Sequence, residues 1–177
     1  MNIHKPTLLL SAFLFVILFF VSISHADAAT IVSGTLTENT TWTLTNSPYV
    51  VEQSAGDNPF SIPTGITLII EPGVIVKLRG SQIVVRGSLI AQGTEFSPII
   101  FTAITDDTGG DTNGDGPSIP QTSSWKDIRF EPGSTGQLDY VYIRYGGSLS
   151  AGVYNAGGSI TISNSVIAHN KVYGIYQ

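Results

Sequence analysis

Residues 138–176 read LDYVYIRYGGSLSAGVYNAGGSITISNSVIAHNKVYGIY, and this stretch contains its own echo. Leu138-x-x-x-x-Ile143 returns as Ile162-x-x-x-x-Ile167 after 24 residues, and Ala151-Gly152-Val153-Tyr154 returns as Tyr173-Gly174-Ile175-Tyr176 after 22. Upstream, Asp127-Ile128-Arg129 stands 25 residues before Gly152-Val153-Tyr154, and Gly65-x-x-Leu68 is echoed by Gly87-x-Leu89 after 21 to 22. A sandwich would pair its strands by hairpins and ask for Asn-Gly or Asp-Gly turns. Self-similarity at a fixed period instead marks a solenoid, and this period suits one coil of three short strands. Glu71-Pro72-Gly73 recurs as Glu131-Pro132-Gly133 after 60 residues, which reads as two coils plus an insertion at 105–124.

Across the rest of the chain, β-rich runs at 49–52, 66–70, 74–78, 82–86, 88–92, 98–103, 127–130, 138–145 and 159–163 alternate with Gly, Pro, Asn and Asp. The expected architecture is all-β, a right-handed parallel β-helix. Inward Ile, Val and Leu of successive coils form one apolar column, and each coil leans only on its neighbours. Asn155, Asn164 and Asn170 are expected at bends, where Asn tolerates left-handed backbone. Residues 29–45 differ: Thr35-Leu36-Thr37 and Thr41-Trp42-Thr43-Leu44-Thr45 alternate polar and apolar, which suits an N-terminal strand pair or cap. The expected organisation is therefore a leader at 1–28, a cap with first strands at 29–64, and β-helix turns at 65–177.

The leader reads as a cleaved secretory signal peptide. Lys5 precedes an uncharged, nearly all-apolar run at 8–23, and Ala26 and Ala28 supply a small-residue cleavage site. The run is shorter than the roughly 20 residues a spanning helix needs. Export to the extracellular space, cell surface or periplasm is expected, with no stable membrane span after processing. Removing 1–28 takes away Lys5 and Asp27 and leaves seven basic and twelve acidic residues, a net charge of −5. An acidic surface with scattered Lys and Arg does not suit nucleic acid. The chain has no cysteine, which excludes disulfides, thiol nucleophiles and Cys-based zinc sites. Packing and backbone hydrogen bonds must stabilise it alone.

The segments GITLIIEPGVIVK at 65–77, VVRGSLIAQGT at 84–94 and PIIFT at 98–102 resemble the opening of secreted right-handed parallel β-helix proteins of the pectate-lyase-like superfamily. Residues 125–130, 138–147 and 159–170 resemble its following turns, so the resemblance runs from about residue 34 to 177. It implies fold and an exported context. The superfamily holds lyases, hydrolases and adhesins, so it does not imply one activity. Its lyases use clustered carboxylates to hold Ca²⁺ and a basic residue to abstract a proton from a uronate. That makes Arg129 and Arg144 candidate bases, with Asp127, Glu131 and Asp139 near them in sequence. Charges at outward strand positions are, on the other reading, a solvated surface. Glu131 and Asp139 carry no motif for a glycosidase carboxylate pair, and His169 has no Ser/Asp partners and reads as a turn-exposed histidine.

The most distinctive local motif is the acidic insertion. Asp111-x-Asn113-x-Asp115-Gly116 matches the first half of an EF-hand loop, in which alternating oxygens around a Gly turn suit a hard cation. Thr122 stands where that loop needs a bidentate Glu, and Pro117 and Pro120 disfavour a following helix. Asp106 or Asp107 is the candidate replacement carboxylate. Calcium is the expected cofactor, with Asp107, Asp111, Asn113 and Asp115 as its ligands.

Six of the seven tyrosines lie between Tyr140 and Tyr176. Tyr154 and Tyr176 occupy equivalent repeat positions and suit either stacking between coils or a platform for sugar rings. No catalytic residues are assigned. The expected function is a structural, adhesion or carbohydrate-binding β-helix module, its partner a polysaccharide or the cell envelope. The rival is a polysaccharide lyase or glycoside hydrolase, or an N-terminal piece of one. Gly174-Ile175-Tyr176 opens another coil and no polar capping segment follows, so an N-terminal portion is expected, whose open edge pairs with further turns or a partner.

Overall fold

A computed structural model describes residues 29–177. The expected export signal at 1–28 lies outside the described residues. Among those described, no helix is long and apolar enough to cross a membrane.

Sixteen short strands follow one another: β1 (Thr30–Val32), β2 (Thr40–Trp42), β3 (Tyr49–Val51), β4 (Phe60–Ile62), β5 (Thr67–Ile70), β6 (Ile75–Leu78), β7 (Ile83–Val85), β8 (Ser88–Gln92), β9 (Ile99–Ala103), β10 (Ile128–Phe130), β11 (Thr135–Asp139), β12 (Val141–Arg144), β13 (Ala151–Asn155), β14 (Ser159–Ser163), β15 (Val166–Ala168) and β16 (Tyr173–Tyr176). They form three sheets. Sheet A runs β1-β3-β6-β9-β12-β15, sheet B runs β4-β7-β10-β13-β16, and sheet C runs β2-β5-β8-β11-β14. Every strand pairing is parallel. From β2 onward the chain visits C, A and B in strict rotation, so the architecture is a parallel β-solenoid with three strands per coil.

The sequence repeats are the stacking register. Leu138 lies against Ile162 and Ile143 against Ile167. Val153 lies against Ile175 and Tyr154 against Tyr176. Ile128 lies against Val153, and Leu68 against Leu89. Residues 138–145, read as one run, are two strands on different sheets. Tyr140 breaks the run in left-handed backbone (φ 47°), as Asn164 does one coil later (φ 48°). The pair Tyr145 and His169 (φ 64° and 56°) repeats this at the next corner. Asn155 turns its corner by side chain, its Oδ1 accepting the Gly157 and Gly158 N–H groups at 3.1 and 2.7 Å. Asn170 bridges coils, accepting from Gly146 N–H at 2.9 Å and donating to the Ile143 carbonyl at 3.2 Å.

One repeat is not a repeat of position. Glu71-Pro72-Gly73 turns from sheet C to sheet A, whereas Glu131-Pro132-Gly133 turns from sheet B to sheet C. Their separation therefore does not count coils. They share turn chemistry: the Glu carbonyl accepts from the residue three later (Val74, 3.3 Å; Ser134, 3.0 Å), and Gly73 and Gly133 sit at φ 81° and 82°. Pro second and Gly third is the type II turn, and any tight corner can use it.

The core is a set of vertical columns. Sheet A contributes Tyr49, Val76, Phe101 and Ile143; sheet B contributes Phe60, Ile83, Ile128 and Val153; sheet C contributes Trp42, Ile70, Ala91 and Leu138. All are buried. The Thr-rich stretch supplies β1 and β2, which pair with β3 and β5 rather than with each other. In this first full coil, one aromatic from each sheet meets at the axis: Trp42 of β2 stacks on Tyr49 with centroids 4.7 Å apart and leans on Phe60 at 5.4 Å. Higher up, a Cβ on Gly136 would meet the Phe130 ring at 2.5 Å, so the missing side chain in sheet C makes room for the large one from sheet B.

Inward and outward neighbours on one strand should differ sharply. Phe101→Ala is expected to cost about 3–5 kcal/mol through lost transfer energy and a cavity. Outward Ile100→Ala on the same strand is expected to cost about 1 kcal/mol or less. Equilibrium urea unfolding measures both, and equal costs would contradict the assigned register.

Candidate functional site

Residues 105–124 lie between β9 and β10, and the first half of this segment folds back over the outer side of sheet A. Lys77, on β6, is fully buried there, with Nζ donating to the Gly110 carbonyl at 2.5 Å. Gly109 packs so close that a Cβ would meet Ile75 Cδ1 at 2.4 Å. Burial lowers the Lys77 pKa, an effect opposed by the carboxylates of Asp106, Asp107 and Asp111.

Asp106 is the anchor, at 6 % exposure. It accepts from the Thr102 hydroxyl, from the Thr108 N–H and hydroxyl at 3.0 and 2.8 Å, and from Arg144 Nε and Nη2 at 2.9 and 2.8 Å. Burial alone would raise its pKa; the hydrogen bonds from Thr102 and Thr108, helped by the Arg144 charge, hold it below the ordinary carboxylate value. Asp106 is thus committed to Thr102, Thr108 and Arg144, and of the two candidate replacement carboxylates Asp107 stands in the acidic cluster. Lys77 and Thr102 escaped the sequence reading. Lys77 interrupts an apolar strand, and β6–β9 register sets it beside Thr102.

Of the four expected metal ligands, Asp107, Asp111 and Asp115 come together, each offering a carboxylate oxygen within 4.8 Å of the others. Asn113 Nδ2 donates to Asp115 at 2.7 Å. Asp111 accepts from the Gly114 and Gly116 N–H groups at 2.7 and 2.9 Å, and these backbone bonds, Gly116 first, lower its pKa. Asp107 accepts from Ser118 N–H at 2.8 Å with one oxygen. Its other oxygen Oδ1, Thr112 Oγ1 and Asn113 Oδ1 are buried without a hydrogen-bond partner.

On sheet B the candidates group differently. Arg129 Nε binds Glu131 at 2.8 Å, and its guanidinium lies 4.5 Å over the Tyr154 ring. Tyr154 in turn stacks on Tyr176 at 5.2 Å, and Tyr173 leans on Tyr176 at 5.7 Å. Asp127, at 1 % exposure, accepts from Gln82 Nε2 at 2.5 Å and leaves Oδ2 without a partner. Burial raises its pKa; Gln82 only partly offsets this. On sheet C, Asp139 accepts from Ser163 and Asn164 at 2.8 Å each, one coil above. Asp127, Asp139 and Arg144 therefore do not share one outward face: they stand at the edge of sheet B, on sheet C and on sheet A. His169 is exposed at its corner, with its ring stacked on Tyr145 at 5.6 Å.

No family model matches the chain, and comparison with curated proteins and with solved structures finds no match either.

The two buried carboxyls should move stability in opposite directions. Asp106 has a lowered folded pKa, so its contribution is present above the ordinary value of 3.8 and is lost as pH falls through the folded pKa. Asp127 has a raised folded pKa, so its charge costs stability increasingly as pH rises above 3.8 towards the folded value. At neutral pH Asp106→Asn should lower Tm and Asp127→Asn should raise it. Both differences should shrink well below pH 3.8. Calorimetric melts over a pH series check the signs.

Proposed function

We propose that the chain is an exported, non-catalytic β-solenoid of the pectate-lyase-like superfamily, right-handed, that engages glycans at or outside the cell envelope. The observation that carries this reading is the column Arg129–Tyr154–Tyr176, stacked in register on the outer side of sheet B. Its rings lie outside the apolar columns, and Tyr176 remains 43 % exposed. Arg129 and Tyr176 take the two faces of Tyr154, so the ring this column offers is that of Tyr176; an aromatic face suits a sugar ring, which has one apolar side and a rim of hydroxyls. The right hand follows from the strong preference of parallel crossovers. The candidate bases support a binding role over a lytic one, since Arg129 is bonded to Glu131 and Arg144 to Asp106.

Tyr176→Ala is expected to reduce retention on insoluble polysaccharide at least about ten-fold, roughly 1.4 kcal/mol, with a melt within a few degrees of the parent. Loss of stability without loss of retention would instead make the column a packing device. Pectin and other anionic polysaccharides, incubated with and without Ca²⁺, test the rival enzyme; release of unsaturated products would overturn the binding reading.

For the insertion we propose a calcium site. The supporting observation is the set of buried oxygens on Asp107, Thr112 and Asn113 that lack any donor, beside the convergent Asp107, Asp111 and Asp115 carboxylates. Oxygen-only ligands suit a hard cation. Lys77 already lends positive charge to Asp107 and Asp111, which weakens the pull on a second cation. Affinity in the extracellular range of about 10⁻⁴–10⁻³ M is expected. Calorimetric titration with Ca²⁺ should show saturable heat that Asp111→Asn and Asp115→Asn each abolish. A parent protein giving no heat would sink the site.

A further inference from the structure

The outer side of sheet A carries a groove that none of the candidates above accounts for. Tyr142, Arg144, Val166, Ala168 and His169 enclose about 310 Å³. Register explains its shape. Tyr142 lies beside Val166 and Arg144 beside Ala168, so two large outward side chains on β12 meet two small ones on β15. The step between them is the groove. Tyr142 and Val166 are 37 % and 51 % exposed, which gives an open apolar floor.

The walls are polar and held. Arg144 is fixed through Nε and Nη2 by Asp106, Thr102 and Thr108, all on the insertion or the strand leading into it. Among the described residues its Nη1 makes no hydrogen bond. His169 is exposed at the other wall, oriented by its stack on Tyr145. A floor that accepts an apolar face, bordered by immobilised planar donors, suits a ligand that is apolar on its face and hydroxylated at its edge. The volume stands at the lower end of small-ligand sites, which run from about 300 Å³.

Charge decides the class of sugar. The Arg144 guanidinium is already balanced by Asp106 at 2.8 Å. A carboxylated sugar would gain little from the guanidinium and would be repelled by Asp106, whereas hydroxyls can accept from Nη1 without a charge of their own. We propose that this groove binds one pyranose unit of a neutral glycan, its face on Tyr142 and its hydroxyls on Arg144 and His169. The inference rests on the glycan-binding reading, and it locates a second contact on a different sheet from the Tyr154–Tyr176 column.

The test is an NMR titration of the full exported chain with cellohexaose, xylohexaose and chitohexaose, with trigalacturonate as the acidic comparator. At least one neutral oligosaccharide should give saturable shifts at Tyr142 and His169 and bind more tightly than trigalacturonate. Tyr142→Ala should weaken it about ten-fold or more, and Tyr142→Phe by no more than about three-fold. His169→Asn, which keeps a residue tolerant of left-handed backbone, should also weaken it, with melts unchanged for all three. Tighter binding of trigalacturonate, or an unaltered affinity in Tyr142→Ala, overturns the groove. Neutral-glycan binding that survives Tyr142→Ala but is lost in Tyr176→Ala refutes the groove while leaving the glycan reading in place. Absence of binding by any of the four refutes both.

Discussion

Everything in this structure depends on vertical register. A parallel strand of three to five residues buries too little to stand alone, so each coil is stable only where the inward residues of its three strands fall on those of the next. That constraint couples the sheets. Sliding β10 by one residue against β7 would expel Ile128 and Phe130 from the axis and turn Arg129 inward. The coil can therefore change length only at its corners. The insertion obeys this: it enters after β9 and ends before β10, yet Ile83 still meets Ile128 and Leu89 still meets Gly136. The same constraint lets side-chain volume be traded between sheets within a coil, as Phe130 and Gly136 show.

An insertion at a corner has to lie on something, and here it lies on an outward row. A fully buried lysine would be costly if its ammonium had no partners. Beneath the insertion Lys77 has the Gly110 carbonyl and three nearby carboxylates, and Arg144 has Asp106. The insertion and this row consequently define each other. Without the loop, Lys77 and Thr102 would be ordinary solvated outward residues; with it, they are buried polar groups, Lys77 partnered by Gly110 of the loop and Thr102 by Asp106 of the loop and by Arg144 of β12. The loop also immobilises Arg144, which turns a flexible surface side chain into a fixed wall of the sheet A groove. A substitution within the insertion can thus act on the groove without touching it.

The parts legible in the sequence are those that stacking repeats. Leu138/Ile143 against Ile162/Ile167 could be read because inward positions recur at the coil length and tolerate only apolar residues. The Glu-Pro-Gly pair misled because a type II turn depends on local backbone, not on which corner it occupies. The aromatic cluster of Trp42, Tyr49 and Phe60 was illegible for a different reason: its members come from three sheets of one coil, so no repeat relates them. Docking of the insertion was equally silent, since Asp106 meets Arg144 across 38 residues without any periodic signal. The acidic loop itself was visible, because alternating Asp and Asn around Gly is a local pattern, and its residues close on one another locally.

The outward rows are where folding leaves the sequence freest, so their contents carry more information than the core. Sheet C carries Ile69 and Ile90 on the outer side of its lower coils, and above them polar side chains that bond one another, as in Gln92 to Gln137 and Asp139 to Ser163. Such rows satisfy themselves and need no ligand. Sheets A and B near the same coils carry Tyr142, His169, Tyr154, Tyr173 and Tyr176 instead. A stacked aromatic pair contributes only about 0.5–1.5 kcal/mol beyond its burial, a gain that cross-strand Thr or aliphatic pairs on an outward row largely match. Folding alone therefore gives little reason to prefer aromatics on two sheets and avoid them on the third. The asymmetry between the sheets, rather than the presence of tyrosine as such, is what supports the proposal that A and B carry the binding faces.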